Sequence, residues 1–273
     1  VLNSFAFDFL VRLRLGGNSL IWAVLAESPF IKRQPSIESW FAQFSARLGI
    51  PNDLFSPQWL RLQQSSSLPL KAGWALTDAQ RITMRAESDA LAFGLKFAEA
   101  DVADVLSASD YPASEEIARQ SKGFWRVDKD KDPELRHTVL TLIAFHDLEE
   151  KIHACGGDRE KGIEAFLKQN DGEGWLLPET LCLADYGLGH DERAKHPQPV
   201  ASRLGPRFYD WQLAQSPEES WRECHLHARN LLGETGYKQL LADIAFPQVE
   251  QNTPQVSEPH APYNHKKGEQ GKL

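Results

Sequence analysis

Helix start and stop signals punctuate this chain more strongly than any other feature. Thr77-Asp-Ala-Gln80 and Ser216-Pro-Glu-Glu219 each set a hydroxyl at an N-cap and a Gln or Glu three residues on. That is the capping-box spacing, in which two free amides are satisfied reciprocally. Asp132-Pro133-Glu134 is a third start: Asp caps, Pro suits the first helical position and Glu complements the dipole. The helix it opens is expected to carry Leu135, Val139, Leu142 and His146 on its apolar stripe and to stop at Gly156-Gly157. Pro35-Ser36 leads another, with Ile37, Trp40, Phe41, Phe44 and Leu48 on one face. Further helices are expected over 77–93, 101–107, 158–168, 178–184, 216–232 and 235–245.

At the amino end, Leu2, Phe5, Phe9 and Leu13 share a helical face that Gly16-Gly17 closes, and Leu20–Leu25 reads as a buried strand. The expected fold class is therefore α+β, predominantly α-helical with a few short strands near the N-terminus. The divisions expected are a helix/strand unit over 1–108, a polar linker over 109–132, a helical region over 133–246 and a disordered tail over 247–273. The tail holds four prolines in 27 residues and almost no apolar periodicity. Residues 51–76 read as a loop anchored by Trp59, Leu60 and Trp74, and 185–212 as a loop rich in Gly, Pro and His. The first helix runs at full strength from Leu2, with no Met before it, so the chain is expected to be a piece of a longer protein.

Composition narrows the function classes. No run approaches a membrane span, and no signal peptide pattern is present, so a cytoplasmic protein without membrane contact is expected. Three scattered cysteines read as free thiols. The net charge of −8 argues against a self-sufficient DNA-binding domain, which must neutralise phosphates, although a local basic patch is compatible with it.

Common catalytic motifs are missing: no Gly-rich phosphate loop, no His-Glu-x-x-His and no Gly-x-Ser-x-Gly. Gly187-Leu-Gly189 lacks the flanking strand and helix of a nucleotide loop. Cys224-His-Leu-His227 lies within a helix, where Glu223 and His227 share a face, and reads as partly buried helix rather than a metal site. His146 falls on the apolar stripe and reads as a satisfied core histidine. Asp158-Arg-Glu-Lys161 reads as a solvated helix start. No metal ligand is assigned, and no catalytic residue.

The loop over 190–211 carries Arg193, Lys195, Arg203 and Arg207 against Asp191, Glu192 and Asp210, with Phe208, Tyr209 and Trp211 at its end. Cations beside aromatics suit phosphate or base contacts. The ordinary alternative is a surface loop docked onto the helices by its aromatics. Lys122 and Arg126, with Lys129 and Lys131, form a second candidate patch, offset by Asp128, Asp130 and Asp132.

Several stretches resemble the late part of large bacterial adenine-specific DNA methyltransferases, the type IIG restriction–modification and phage-defence methylases. They are Leu2-Asn-Ser-Phe-Ala-Phe-Asp-Phe-Leu-Val-Arg12 followed by Gly16-Gly17 and an apolar run to Pro29; Arg85-Ala-Glu-Ser-Asp-Ala-Leu-Ala-Phe-Gly94; Gly123-Phe-Trp-Arg-Val-Asp128 with Pro133-Glu-Leu-Arg-His-Thr138; and Leu183-Ala-Asp-Tyr-Gly-Leu-Gly-His190. Together they span about residues 1–245. The family's methyl-donor motif (Phe-x-Gly-x-Gly) and target-adenine motif (Asn-Pro-Pro-Tyr), which holds the flipped base, have no match.

The resemblance implies a DNA-recognition-side portion, inert alone, of a parent that uses S-adenosylmethionine; the implied partners are double-stranded DNA, met via the parent enzyme, and the missing N-terminal catalytic domain. No cofactor is expected on this chain itself. Arg193, Lys195, Arg203, Arg207, Lys122 and Arg126 are the DNA-contact candidates. Two other readings stand beside it: a non-enzymatic helical interaction module of a defence complex, favoured by the net charge, and a metal-dependent hydrolase on the scattered His and Cys residues.

Overall fold

The computed structural model describes residues 4, 5, 7, 35–63, 68–95, 128, 130–188 and 191–245. The described chain is predominantly helical: α1 (Pro35–Gly49), α2 (Ser56–Leu62), α3 (Asp78–Gly94), α4 (His137–Ala154), α5 (Arg159–Gly172), α6 (Ala201–Leu204), α7 (Asp210–Ala214) and α8 (Pro217–Ala245). A small antiparallel sheet pairs β1 (Thr180–Leu181) with β2 (Gln198–Pro199), in register Thr180↔Pro199 and Leu181↔Gln198. The strand expected over 20–25, the helix over 101–107 and the tail from 247 lie outside the described residues.

Among the described residues, α3 is the central element of the larger core cluster. It is sheathed by α1, α4, α5 and the 175–204 segment, and most of its side chains are buried. Its Ala86, Ala90, Leu91 and Phe93 meet Leu140, Ile143, Phe145 and Leu148 of α4, with Phe93 and Phe145 edge-on at 6.3 Å. Burying each such large side chain contributes about 1.5–3 kcal/mol. This cluster draws on both sides of residues 109–132. Against α2, Cys224, Ala228, Tyr237 and Leu240 of α8 pack with Trp59, Leu60, Leu70 and Trp74, so the three expected loop anchors are core residues.

Several local expectations hold. Thr77 Oγ1 accepts the Gln80 N–H at 3.1 Å. Asp158 caps α5, and Ser216 Oγ accepts the Glu219 N–H at 3.3 Å. Gly156 and Gly157, at φ 72° and 83°, turn the chain after α4, and the Gly157 N–H returns to the Ile152 carbonyl at 2.9 Å. Regular helix in α5 ends before Gln169, and α8 breaks at Gly233, between the two helices expected there.

Others need correction. The Asp132-Pro133 signal opens a 3-10 turn (Pro133–Leu135), and α4 starts only at His137. Asp132 makes no cap bond, because it faces Arg203; Asp128 Oδ2 accepts the first amide of α4, that of His137, at 2.8 Å. The buried stripe of α4 is Leu140, Ile143, Ala144, Leu148 and Ile152, one position round from the expected one. His146 is thus half-exposed rather than a core residue. The stretch 178–184 is strand and 3-10 turn, not helix, and the expected 51–76 loop contains α2. Among the described residues, no helix is long and apolar enough to cross a membrane.

Candidate functional site

A largely buried helix has to find partners for the polar residues on its covered faces, since a desolvated polar group left unpaired costs about 1–3 kcal/mol. In α3 those residues are Gln80, Thr83, Glu87 and Asp89. Thr83 satisfies itself on the Ala79 carbonyl. Asp89 belongs to one polar node and Glu87 and Gln80 to a second; a third is built on Glu134, outside α3.

The first node surrounds Asp89. Its Oδ1 accepts the backbone N–H of Phe5 at 2.8 Å, and its Oδ2 lies 3.1 Å from His137 Nε2. The His137 contact has ion-pair distance without hydrogen-bond alignment. The Phe5 and His137 rings pack with centroids 4.6 Å apart. Residues far apart in the chain therefore meet here, from the amino end, from α3 and from the start of α4.

The second node surrounds Glu87, which is 1% exposed. Its Oε1 accepts the Trp175 N–H at 3.2 Å, and Gly174 lies so close that any added Cβ would collide with this carboxyl. Burial pushes the Glu87 pKa up to about 8, against the opposing pull of that N–H and of Arg47 and Arg207. Burial, with Arg207 nearby, brings Arg47 down to about 10. Arg47 Nε donates to the Gly73 carbonyl at 2.9 Å, so its charge is hydrogen-bonded though largely desolvated. Gln80 accepts from Arg207 Nε at 2.8 Å instead of closing the capping box.

The third node surrounds Glu134, whose side chain is fully buried. Arg193 grips it bidentately, Nη1 to Oε2 at 2.9 Å and Nη2 to Oε1 at 2.5 Å. Arg203 Nη1 adds a contact to Oε1 at 3.1 Å and one to Asp132 Oδ2 at 2.6 Å. Arg203, with Arg193 behind it, holds the Asp132 carboxyl below the usual carboxylate range. This node fastens the 191–204 segment to the turn before α4.

The predicted DNA-contact residues thus have defined places. Arg193 and Arg203 share the Glu134 node, Arg207 donates to Gln80 and Glu173, and Lys195 pairs with Glu192 at 3.0 Å. They form no open row of cations; each already faces a carboxylate. Lys122 and Arg126 lie outside the described residues. The loop's aromatics divide: Phe208 stacks under the Arg207 guanidinium at 5.1 Å. Tyr209 and Trp211 stay exposed and near-parallel, 6.3 Å apart.

The other candidates are structural or unassembled. The Cys224 thiol is buried, pushed up to about 11, and directed at the Ser56 carbonyl. Glu223 accepts from Gln215 and pairs with Lys71, while His227 faces Asp53 at 3.7 Å, so the two do not converge on a metal. Sequence reasoning passed over one group: ligand atoms of His146, Asp147 and Glu150 lie within 4.8 Å of one another. The i, i+4 spacing of His146 and Glu150 was the available signal. Asp147 is already committed to Trp175 Nε1 at 2.7 Å.

None of the family models, curated proteins or solved structures compared with this chain matches it.

Proposed function

We propose that this chain is the non-catalytic, recognition-side portion of an adenine-specific DNA methyltransferase of a restriction–modification or phage-defence system. S-adenosylmethionine and the target adenine are handled by a separate catalytic part in a cytoplasmic parent, and duplex DNA is the partner. The observation that supports the reading is the Asp89 node. Phe5, Asp89 and His137 come from three separate stretches that resemble that family, up to 132 positions apart in the chain, yet they touch one another. Their meeting around one buried carboxylate is what the reading expects of a single structural unit.

The reading assigns the nodes to shape rather than chemistry. Asp89 ties the amino end to α3 and α4, and Glu134 ties down the 191–204 segment that carries the cations. No catalytic role falls to any described residue. The test is the reading frame joined to the Val1 codon and the gene beside it. Asn-Pro-Pro-Tyr and Phe-x-Gly-x-Gly are expected in one of them, and their absence from both would refute the assignment.

The second reading, a helical protein-interaction module, is supported by the net charge of −8 and by the carboxylates that face each loop cation. A gel shift with the catalytic part supplied separates the two: the interaction-module reading expects no DNA complex.

A further inference from the structure

We propose that Arg193 and Arg203, aligned by buried Glu134, form a receptor for a phosphate oxyanion, and that Asp132 occupies it as a built-in competitor. The inference rests on the DNA-recognition reading and names the point of contact within it. Glu134 and Asp132 play different parts although both are acids on the same turn. The Glu134 side chain is fully buried, engages both guanidiniums and fixes their planes. The Asp132 side chain is 45% exposed, and its Oδ2 alone bridges the pair, 2.6 Å from Arg203 Nη1 and 3.5 Å from Arg193 Nη2. A single oxygen held between two guanidiniums is how a phosphate oxygen is held.

Both arginines remain reachable, with side chains 38% and 41% exposed. Glu134 cannot leave without stranding a buried charge, whereas Asp132 can swing into water at little cost. With Asp132 in place the four side chains are neutral overall. Once a phosphate displaces it, Asp132 is repelled and the arginines keep their alignment. By sequence these cations read as candidate contacts on a loop; Asp132 acts on them as a gate, which also explains how an acidic chain can keep a usable phosphate site.

The test uses the full chain with inorganic phosphate followed by calorimetry and a fluorescein-labelled DNA duplex followed by anisotropy at two salt concentrations. Asp132→Asn should tighten both about threefold or more, since it keeps the shape but removes the competing charge. Asp130→Asn, an exposed acid two residues away, is the control for net charge and should change neither. Adding Arg203→Ala to Asp132→Asn should abolish the gain, with thermal melting used to show that the fold persists.

Equal gains from Asp130→Asn and Asp132→Asn, or no gain from Asp132→Asn, would overturn the receptor. Tighter inorganic phosphate with no duplex bound by any variant, even with the catalytic part supplied, would uphold the receptor and overturn the DNA reading. Duplex binding indifferent to both Asp132 and Arg203 would overturn the receptor and leave the DNA reading intact.

Discussion

Replacing Glu87 with Gln should make the protein more stable, and increasingly so as the pH rises. In the fold this carboxyl is 1% exposed and titrates near 8, whereas in the unfolded chain it titrates near its ordinary 4.5. Folding therefore takes up a proton between those two values. Below about pH 4.5 both states are protonated and the group is silent. From there to about pH 8 the native state loses about 1.4 kcal/mol of stability per pH unit relative to the unfolded state. At pH 7 the interval is about 2.5 units, or roughly 3 kcal/mol, an upper bound for a buried group beside two arginines.

Gln keeps a carbonyl oxygen for the Trp175 N–H and carries no ionisation penalty. Urea unfolding at about pH 5, 6, 7 and 8 should show the variant within about 1 kcal/mol of the parent at pH 5 and up to about 3 kcal/mol more stable at pH 7. The reasoning fails if the difference between the two proteins is flat with pH, or if the variant loses ground as pH rises. Either result would mean that Glu87 is ionised in the fold and held by Arg47 and Arg207.

Gly162→Ala should destabilise by about 1–3 kcal/mol in urea unfolding despite the better helix propensity of Ala, because the new Cβ would lie 2.5 Å from Ile152 Cα and force α5 off α4. Glu134→Ala should cost about 1–3 kcal/mol and make the 191–204 segment an early site of limited proteolysis, since it removes the shared hydrogen-bond partner of Arg193 and Arg203, whose own charges stay in contact with water. Thr77→Ala should lower stability by about 1 kcal/mol, read by thermal melting, through loss of the α3 cap and of the hydroxyl bond to the Arg207 carbonyl.

The legible part of the fold is written in local signals. Thr77, Asp158, Ser216 and the Gly156-Gly157 pair act on neighbours within one helical turn, so their roles follow from spacing alone. Signals that depend on distant partners mislead. Asp132 looks like a cap by sequence, but two arginines about 60 and 70 positions later claim its carboxylate, and Asp128 does the capping. Gln80 fits a capping box, yet Arg207 takes its side chain. Mixed apolar and polar patterning of α4 places its expected buried face one residue away, which puts His146 in the core instead of at its edge. The polar nodes are invisible for the same reason. Glu87 and Asp89 look like solvated helix positions until neighbouring segments are seen to cover every face of α3 but the one carrying Asp78, Arg81, Arg85 and Ser88.

The role proposed for this chain, directing a methyltransferase to its DNA site, is measured most directly by adenine methylation. The polypeptide that joins this chain to its catalytic part should methylate adenine within one defined sequence, read across a genome by modification-sensitive sequencing. Asp89→Ala, which breaks the node tying Phe5, α3 and α4 together, should erase that site preference or the activity. Site-specific methylation that persists unchanged after the whole of residues 1–245 is removed would contradict the account.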